Sequence, residues 1–185
     1  MSVPILRYRF TVDEYYKLAE AGVLTEDSRV ELIEGEILMM TPIGRRHAAC
    51  VDRLTNLLAS LVGDRAIVRV QNPILLADDT EPEPDVSLLH PRPDFYAERE
   101  PGPGEVFLVI EVADSSLAYD REVKLPLYGR SGVPEVWIVD LGSRTVSVST
   151  TPGPAGYAEK RSYGSGEVIT LRSLAIDVPV DRMVT

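Results

Sequence analysis

The chain has 185 residues, of which 44% are hydrophobic, so it can bury a substantial core and fits a single domain over residues 1–185. Its 19 basic and 29 acidic side chains give a net charge of −10, which argues against a general basic coat for nucleic acid. The single cysteine excludes a disulfide framework and a multi-cysteine zinc site.

Neither a signal peptide nor a membrane span is expected. Residues 1–10 lack a charged start followed by a long apolar run, and nowhere do about 18 apolar residues occur in succession. We therefore expect a cytoplasmic protein. Cys50 is expected to be a small buried apolar group.

The first third of the chain predicts two helices and a hairpin. A capping box that begins at Thr11 predicts a helix over residues 12–21. Two alternating apolar runs around a Glu-Gly turn predict strands near residues 29–33 and 36–40. Apolar residues at helical spacing predict an amphipathic helix over residues 44–62.

Strand-like runs dominate the middle of the chain. The runs AIVRV, PILLA and DVSLL, at residues 66–70, 73–77 and 85–89, are predicted as meander strands. VFLVIEVA, at residues 106–113, is apolar except for one glutamate, which is typical of a central strand covered on both faces. The proline- and glycine-rich residues 92–105 predict a surface loop.

The last third predicts a helix and four strands. Residues 117–130 are predicted as a helix, and Pro126 is expected to kink it or to begin a short second segment. The strands are predicted near residues 135–140, 145–150, 157–163 and 167–171, the first two as a hairpin. These elements predict an α/β (α+β) fold, a mixed sheet of largely antiparallel meander strands flanked by helices.

Three carboxylates interrupt or adjoin apolar strands: Glu31 in VELI, Asp85 before VSLL, and Glu111 in VIEVA. Burying such a group costs several kcal/mol unless it is compensated. If the strands carrying Asp85 and Glu111 are neighbours, the two carboxylates come close and need a cation. Their oxygen ligands favour Mg²⁺ or Mn²⁺, and such an ion can hold a phosphodiester oxygen and activate water.

A second charged feature lies in the predicted helix that follows. Asp120, Lys124 and Tyr128 are spaced four apart and so share one stripe of the helix. Lys124 would orient the attacking water or neutralise charge in the transition state. The alternative is an ordinary surface pair between Asp120 and Lys124.

Structural alternatives exist for the other candidate residues. Glu111 would form an internal ion pair with an arginine, Asp85 would cap a strand end after Pro84, and Glu31 would be exposed on an edge strand. His47 would be an ordinary helix-start histidine rather than a base.

Two further groups of charged residues have alternative interpretations. The acidic residues between 78 and 83 are most simply a solvated turn. Arg45 and Arg46 are the best candidates for phosphate contacts near the site, or else ordinary solvated charges at a helix start.

Several segments in order resemble one known family. They are VELIEGEI at 30–37, His47 at a helix start, PDV at 84–86, VIEVADSS at 109–116, the D-x-x-x-K-x-x-x-Y pattern at 120–128 and GVPEVWIVD at 132–140. Together they resemble the Uma-type restriction endonucleases of the PD-(D/E)XK nuclease superfamily. The resemblance runs from about residue 8 to about residue 172.

The resemblance implies a restriction-endonuclease-like core, a metal held by Asp85 and Glu111, and Lys124 as the catalytic lysine. Glu31 would be the acidic residue before the core, and His47, Tyr128 and Asp120 are possible accessory residues. The superfamily usually has its lysine two residues after the glutamate. That position is Ala113 here, so Lys124 would have to reach the same point from the following helix.

These observations favour a Mg²⁺- or Mn²⁺-dependent DNA endonuclease. The alternative is a catalytically inactive nuclease-fold protein that acts as a binding or assembly module. A glycoside hydrolase, which also needs two carboxylates, ranks lower because only 6% of the chain is aromatic. A homodimer is expected, because cutting both strands of a duplex commonly uses two symmetry-related sites.

Overall fold

A computed structural model of the chain describes residues 6–25 and 27–184. Within these residues the helical segments are α1 (Val12–Glu20), α2 (Arg45–Val62), α3 (Leu117–Tyr119) and α4 (Leu125–Ser131). The strands are β1 (Val30–Ile33), β2 (Glu36–Met39), β3 (Ile67–Val70), β4 (Val86–Leu89), β5 (Val106–Ala113), β6 (Glu135–Asp140), β7 (Thr145–Gly153), β8 (Gly156–Tyr163), β9 (Val168–Leu171) and β10 (Ile176–Pro179). None of these helices has the length and apolar character that a membrane crossing requires.

The central sheet has six strands in the order β3-β4-β5-β6-β7-β8. Only β5 and β6 are parallel, and the other neighbours run antiparallel. Two separate hairpins, β1–β2 and β9–β10, complete the strands, and β10 is absent from the predicted elements. The mixed, largely antiparallel sheet flanked by helices is therefore confirmed.

Local sequence signals account for the first elements. The Thr11 hydroxyl accepts from the Glu14 N–H at 3.3 Å, and the Glu14 carboxylate accepts from the Thr11 N–H at 3.0 Å, so the capping box forms. Helices α1 and α2 and the β1–β2 hairpin agree with their predicted bounds to within one residue at each end.

Helices cover both faces of the central sheet. On one face Leu54 of α2 packs in a core cluster with Trp137 of β6. On the other face Tyr128 of α4 packs with Val109 of β5 and Ile138 of β6. Strand β5 is therefore buried on both sides, as its nearly continuous apolar sequence predicts.

The strand predicted at residues 73–77 is wrong. The Ile74 N–H donates to the Pro82 carbonyl at 3.0 Å, and the Leu75 N–H donates to the Pro101 carbonyl at 3.0 Å. These donors bind nearby loops, while β3 pairs directly with β4 in the sheet. The backbone of this run therefore bonds to loops and does not form a strand of the sheet.

The predicted helix over residues 117–130 forms with an interruption. A π-helical turn, Asp120–Lys124, separates α3 from α4, and the Leu125 N–H donates to the Asp120 carbonyl five residues earlier. Pro126 lies in the first turn of α4, directly after the π-helical turn. The expected short second segment therefore begins next to the proline.

Gly129 allows α4 to lie directly against β8. A Cβ at this position would stand 2.7 Å from the Gly156 Cα and 2.8 Å from its carbonyl carbon. Both contacts are with backbone, which cannot move without displacing the strand. The absence of a side chain at Gly129 therefore sets how closely the helix approaches the sheet.

Gly129→Ala is expected to lower the free energy of unfolding by about 1–3 kcal/mol, because the added methyl group overpacks this contact. Urea titration followed by circular dichroism measures the change. Gly104→Ala is the matched control, since its Cβ would meet nothing within 4 Å. Equal stability of the two variants would contradict the close-packing role of Gly129.

Candidate active site

Strand pairing in the central sheet places Asp85 opposite Glu111. The antiparallel register pairs Val86 of β4 with Ile110 of β5, so Asp85, one residue earlier, lies opposite Glu111. The Asp85 Oδ2 atom accepts from the Val112 N–H at 2.8 Å. The condition on which the sequence argument depended, that the two strands are neighbours, is therefore met.

Both carboxylates line a cavity of about 480 Å³. Six acidic side chains line it: Glu31, Glu83, Asp85, Glu111, Asp114 and Asp120. The lining also includes His47 and two permanently basic side chains, Arg29 and Lys124. The cavity therefore has an excess of potential negative charge.

Lys124 lies at the centre of this group. Its Nζ atom is 3.1 Å from Glu31 Oε2 and 3.2 Å from Glu111 Oε1, and it donates to the Glu83 carbonyl at 3.2 Å. Lys124 is only 4% exposed, so the interpretation as a surface pair with Asp120 is wrong. Glu111 does form an internal ion pair, but with this lysine instead of the arginine considered from the sequence.

The surrounding carboxylates determine the charge of Lys124. Burial alone would lower the pKa of the ammonium group, but Glu111 and Glu31 outweigh this effect and raise its pKa. Lys124 therefore stays protonated and serves as a fixed positive charge, not as a base.

The stripe predicted on the helix faces the sheet. The Tyr128 hydroxyl donates to Glu111 Oε1 at 2.7 Å, and the Ser116 hydroxyl donates to Asp120 Oδ2 at 2.6 Å. Asp120, Lys124 and Tyr128 are all buried. The π-helical turn lies within this stripe, and such turns often occur at functional sites.

Glu31 is buried, so its interpretation as an exposed edge-strand residue is wrong. It accepts from the Tyr119 hydroxyl at 2.9 Å and from the Glu83 N–H at 3.1 Å. These bonds and the contact with Lys124 join the β1–β2 hairpin to α3, to the segment before β4 and to the π-helical turn.

His47 lies beside Asp85 at the start of α2. Its Nε2 atom is 3.0 Å from Asp85 Oδ1, and the hydrogen bond with Asp85 raises the pKa of the imidazole. The carboxylate of Asp85 is thus held from two sides, by His47 and by the Val112 N–H.

Burial makes ionisation of the acidic residues costly. It raises the pKa of Glu111 well above its usual range, and the Lys124 ammonium only partly opposes this. Burial also raises the pKa values of Asp120 and Glu83. Burial thus favours the protonated form of these carboxyl groups, and a bound cation would favour their ionised form.

Sequence reasoning missed Tyr119, Glu83 and Arg29 as cavity residues. No spacing marks them, because their positions depend on where the β1–β2 hairpin lies. Arg46, predicted as a phosphate contact, lies 3.2 Å from Asp114 Oδ1 and donates to the Leu141 carbonyl at 2.7 Å. The neighbouring Arg45 is exposed.

Glu81 corrects the expectation of a solvated turn. Its side chain is buried, and its backbone N–H donates to the Leu32 carbonyl at 2.7 Å, which joins the segment to β1. Burial raises the pKa of Glu81 to about 7. Asp78, in the same segment, is exposed as expected.

The chain is similar to proteins described as nucleases. The family model described as "Uma2: Putative restriction endonuclease" matches residues 12–181. No curated protein matches the chain. A solved structure of a putative nuclease belonging to DUF820, from Anabaena variabilis ATCC 29413, is 19% identical with a TM-score of 0.73, covering 95% of this chain and 97% of that one. At this identity the likeness shows a shared fold.

Lys124→Met is expected to lower the free energy of unfolding by about 3–5 kcal/mol, because Glu31 and Glu111 would remain buried without their cation. Chemical denaturation at neutral pH measures this. Lys160→Met, which removes an exposed lysine on β8, should change stability by no more than about 0.5 kcal/mol. A Lys124 variant as stable as the Lys160 variant would show that the buried ion pair contributes nothing to stability.

Glu81→Gln is expected to stabilise the fold increasingly as pH rises. Below the ordinary pKa of 4.5 both states are protonated, but between 4.5 and about 7 the unfolded wild type releases its proton first. The wild type therefore loses up to about 3 kcal/mol across this window, and the glutamine variant does not. Unfolding free energies at pH 4.5 and pH 8 test this, with exposed Glu98→Gln as control; a pH-independent difference for Glu81→Gln would contradict it.

Proposed function

This chain belongs to the Uma2 family of putative restriction endonucleases, and we propose that it is a metal-dependent DNA endonuclease whose active site is the cavity around Asp85 and Glu111. The observation that carries the proposal is the placement of these two carboxylates opposite each other on paired strands, with the buried Lys124 bound to Glu111. A fold built only for stability has little reason to bury so many charged groups together.

The donor set of the cavity fits a hard divalent cation. Within residues 6–25 and 27–184, no three His, Cys, Asp or Glu side chains are arranged to hold a metal ion by themselves. Mg²⁺, however, is usually bound by one or two carboxylates and completes its shell with waters and substrate phosphate. Asp85 and Glu111 would supply those carboxylates, and Mg²⁺ or Mn²⁺ is the proposed ion.

When bound, such an ion would hold a phosphodiester oxygen and lower the pKa of a water nucleophile. The rest of the chemistry belongs to the protein. Lys124, which stays protonated, would stabilise negative charge that develops on the phosphate. Glu31 and the Tyr128 hydroxyl would position the Lys124–Glu111 pair, and His47 would orient Asp85.

Lys124 thus offers an answer to the missing lysine at Ala113. Both Glu111 and Ala113 lie on the α4-facing side of β5, where Ala113 packs in that core cluster. Lys124 approaches the same carboxylate from the helix side, at 3.2 Å. We propose that it takes the place of the strand-borne lysine of the superfamily.

A catalytically inactive binding or assembly module is the second candidate. It is favoured by the same ion pair, because Lys124 already neutralises part of the charge of Glu31 and Glu111. Titration calorimetry with Mg²⁺ and Mn²⁺ separates the two functions. Heat that is lost in Asp85→Asn would support the nuclease, and no heat at millimolar ion would support the module.

A homodimer is proposed for cutting both strands of a duplex, because one cavity acts on one strand at a time. Sedimentation velocity measures the oligomeric state directly. A protein that stays monomeric under conditions where it cuts DNA would contradict this part of the proposal.

Asp85→Asn and Glu111→Gln are each expected to slow Mg²⁺-dependent nicking of a supercoiled plasmid about a thousandfold, equivalent to roughly 4 kcal/mol of transition-state stabilisation. Each keeps the side-chain shape and removes a charge. Asp64→Asn, an exposed residue after α2, is the matched control and should cut at the wild-type rate. Nicking by the Asp85 and Glu111 variants at the wild-type rate would exclude this cavity as the active site.

A further inference from the structure

The depth of the cavity restricts the nucleic acid that can use it. Glu111 is 3% exposed and Lys124 is 4% exposed, so the proposed catalytic groups lie below the surface. An intact duplex is stiff, and its stacked strands cannot bend sharply into a cavity of about 480 Å³. A backbone that has left the stacked helix is more flexible, and its phosphates can enter such a cavity at a lower deformation cost.

One wall of the cavity is apolar and open to solvent. Residues 38–43, which we term the apolar rim, run from the end of β2 towards α2 and all line the cavity. Met39 is 89% exposed and Ile43 is 39% exposed. Apolar side chains can pack on base faces, and an unpaired strand exposes these faces without the unstacking energy that a duplex would require.

Arg29 is the uncommitted cation of the same cavity. It directly precedes β1, is half-buried and lines the cavity. Lys124 is bound by Glu31 and Glu111, whereas no ion pair or side-chain hydrogen bond found within residues 6–25 and 27–184 includes the Arg29 guanidinium. Burial raises the pKa of the nearby Glu83 carboxyl group and the Arg29 charge partly opposes this, but these two described side chains form no direct ion pair, so the guanidinium donors are available to a phosphate.

We propose that Arg29 and the apolar rim form a strand-holding wall, and that the preferred substrate is DNA whose cut strand is locally unpaired. Arg29 contacts a phosphate next to the one that is cut, and the rim packs on the adjoining bases. The inference rests on the proposed nuclease function and adds the class of substrate.

The first experiment compares cutting of three labelled DNAs of one sequence: single strand, perfect duplex, and duplex with a central bubble. With Mg²⁺, we expect the single strand and the bubble to be cut at least about tenfold faster than the perfect duplex, since the duplex must first be unpaired. Equal rates on the bubble and the perfect duplex would overturn the inference while leaving the nuclease function in place.

The second experiment measures binding by fluorescence anisotropy, with Ca²⁺ as the divalent ion and the strand checked for cutting afterwards. Arg29→Ala should weaken binding of the single strand and reduce the salt dependence of log Kd by about 0.7, the loss of one phosphate contact. Arg29→Lys should keep the slope. Lys160→Ala, which removes the same charge outside the cavity, should also keep it.

A third comparison tests the apolar rim. Met39→Ala should reduce the preference for the unpaired strand over the duplex, while Met39→Leu should retain it because the side chain stays apolar and large. Val168→Ala, at a half-exposed position on β9, is the control and should retain the preference.

These experiments distinguish failure of the nuclease function from failure of the strand-holding wall. If no DNA is cut but single strands bind in an Arg29-dependent manner, the nuclease function fails and the strand-holding wall stands. If Arg29→Ala and Lys160→Ala have the same salt dependence as the wild type, the wall is wrong whatever the protein cuts.

Discussion

The contact of one buried ammonium group with two buried carboxylates organises this protein. Lys124 approaches Glu31 of the β1–β2 hairpin and Glu111 of the central sheet, each within 3.2 Å. Charges removed from water cost several kcal/mol each unless they are paired and hydrogen-bonded. Lys124 therefore links the hairpin, the sheet and the interrupted helix, and the loss of its ammonium group would leave both carboxyl groups buried without their cation.

The site contains features that an ordinary hydrophobic core lacks. A π-helical turn lies in the helix that delivers Lys124, and burial raises the pKa of Glu111 and Asp120. Local features that work against stability tend to concentrate where function requires them. The proposed divalent cation would favour the ionised form of these buried carboxyl groups.

The distribution of charge also bears on how a strongly acidic protein handles a polyanion. Long-range attraction is weak, so recognition has to come from short-range contacts inside the cavity. Arg29, the apolar rim and the buried Lys124 line the same cavity and would provide three different kinds of contact to the proposed substrate. In the proposed mode of binding, a flexible single strand would use all three contacts, whereas the outer surface of a duplex would use few of them.

The sequence by itself determined most helices and strands and the flanked mixed sheet, because side-chain periodicity reports which face of an element is buried. It named Asp85 and Glu111 as a pair, but only the strand register of the folded chain places them opposite each other. It also identified the Asp120–Lys124–Tyr128 stripe. Only the tertiary structure decided that residues 73–77 are not a strand, that Glu31 and Glu81 are buried, and that Arg29 joins the site. Those outcomes depend on where the β1–β2 hairpin and the loops pack, and such long-range contacts leave no periodic signal in the sequence.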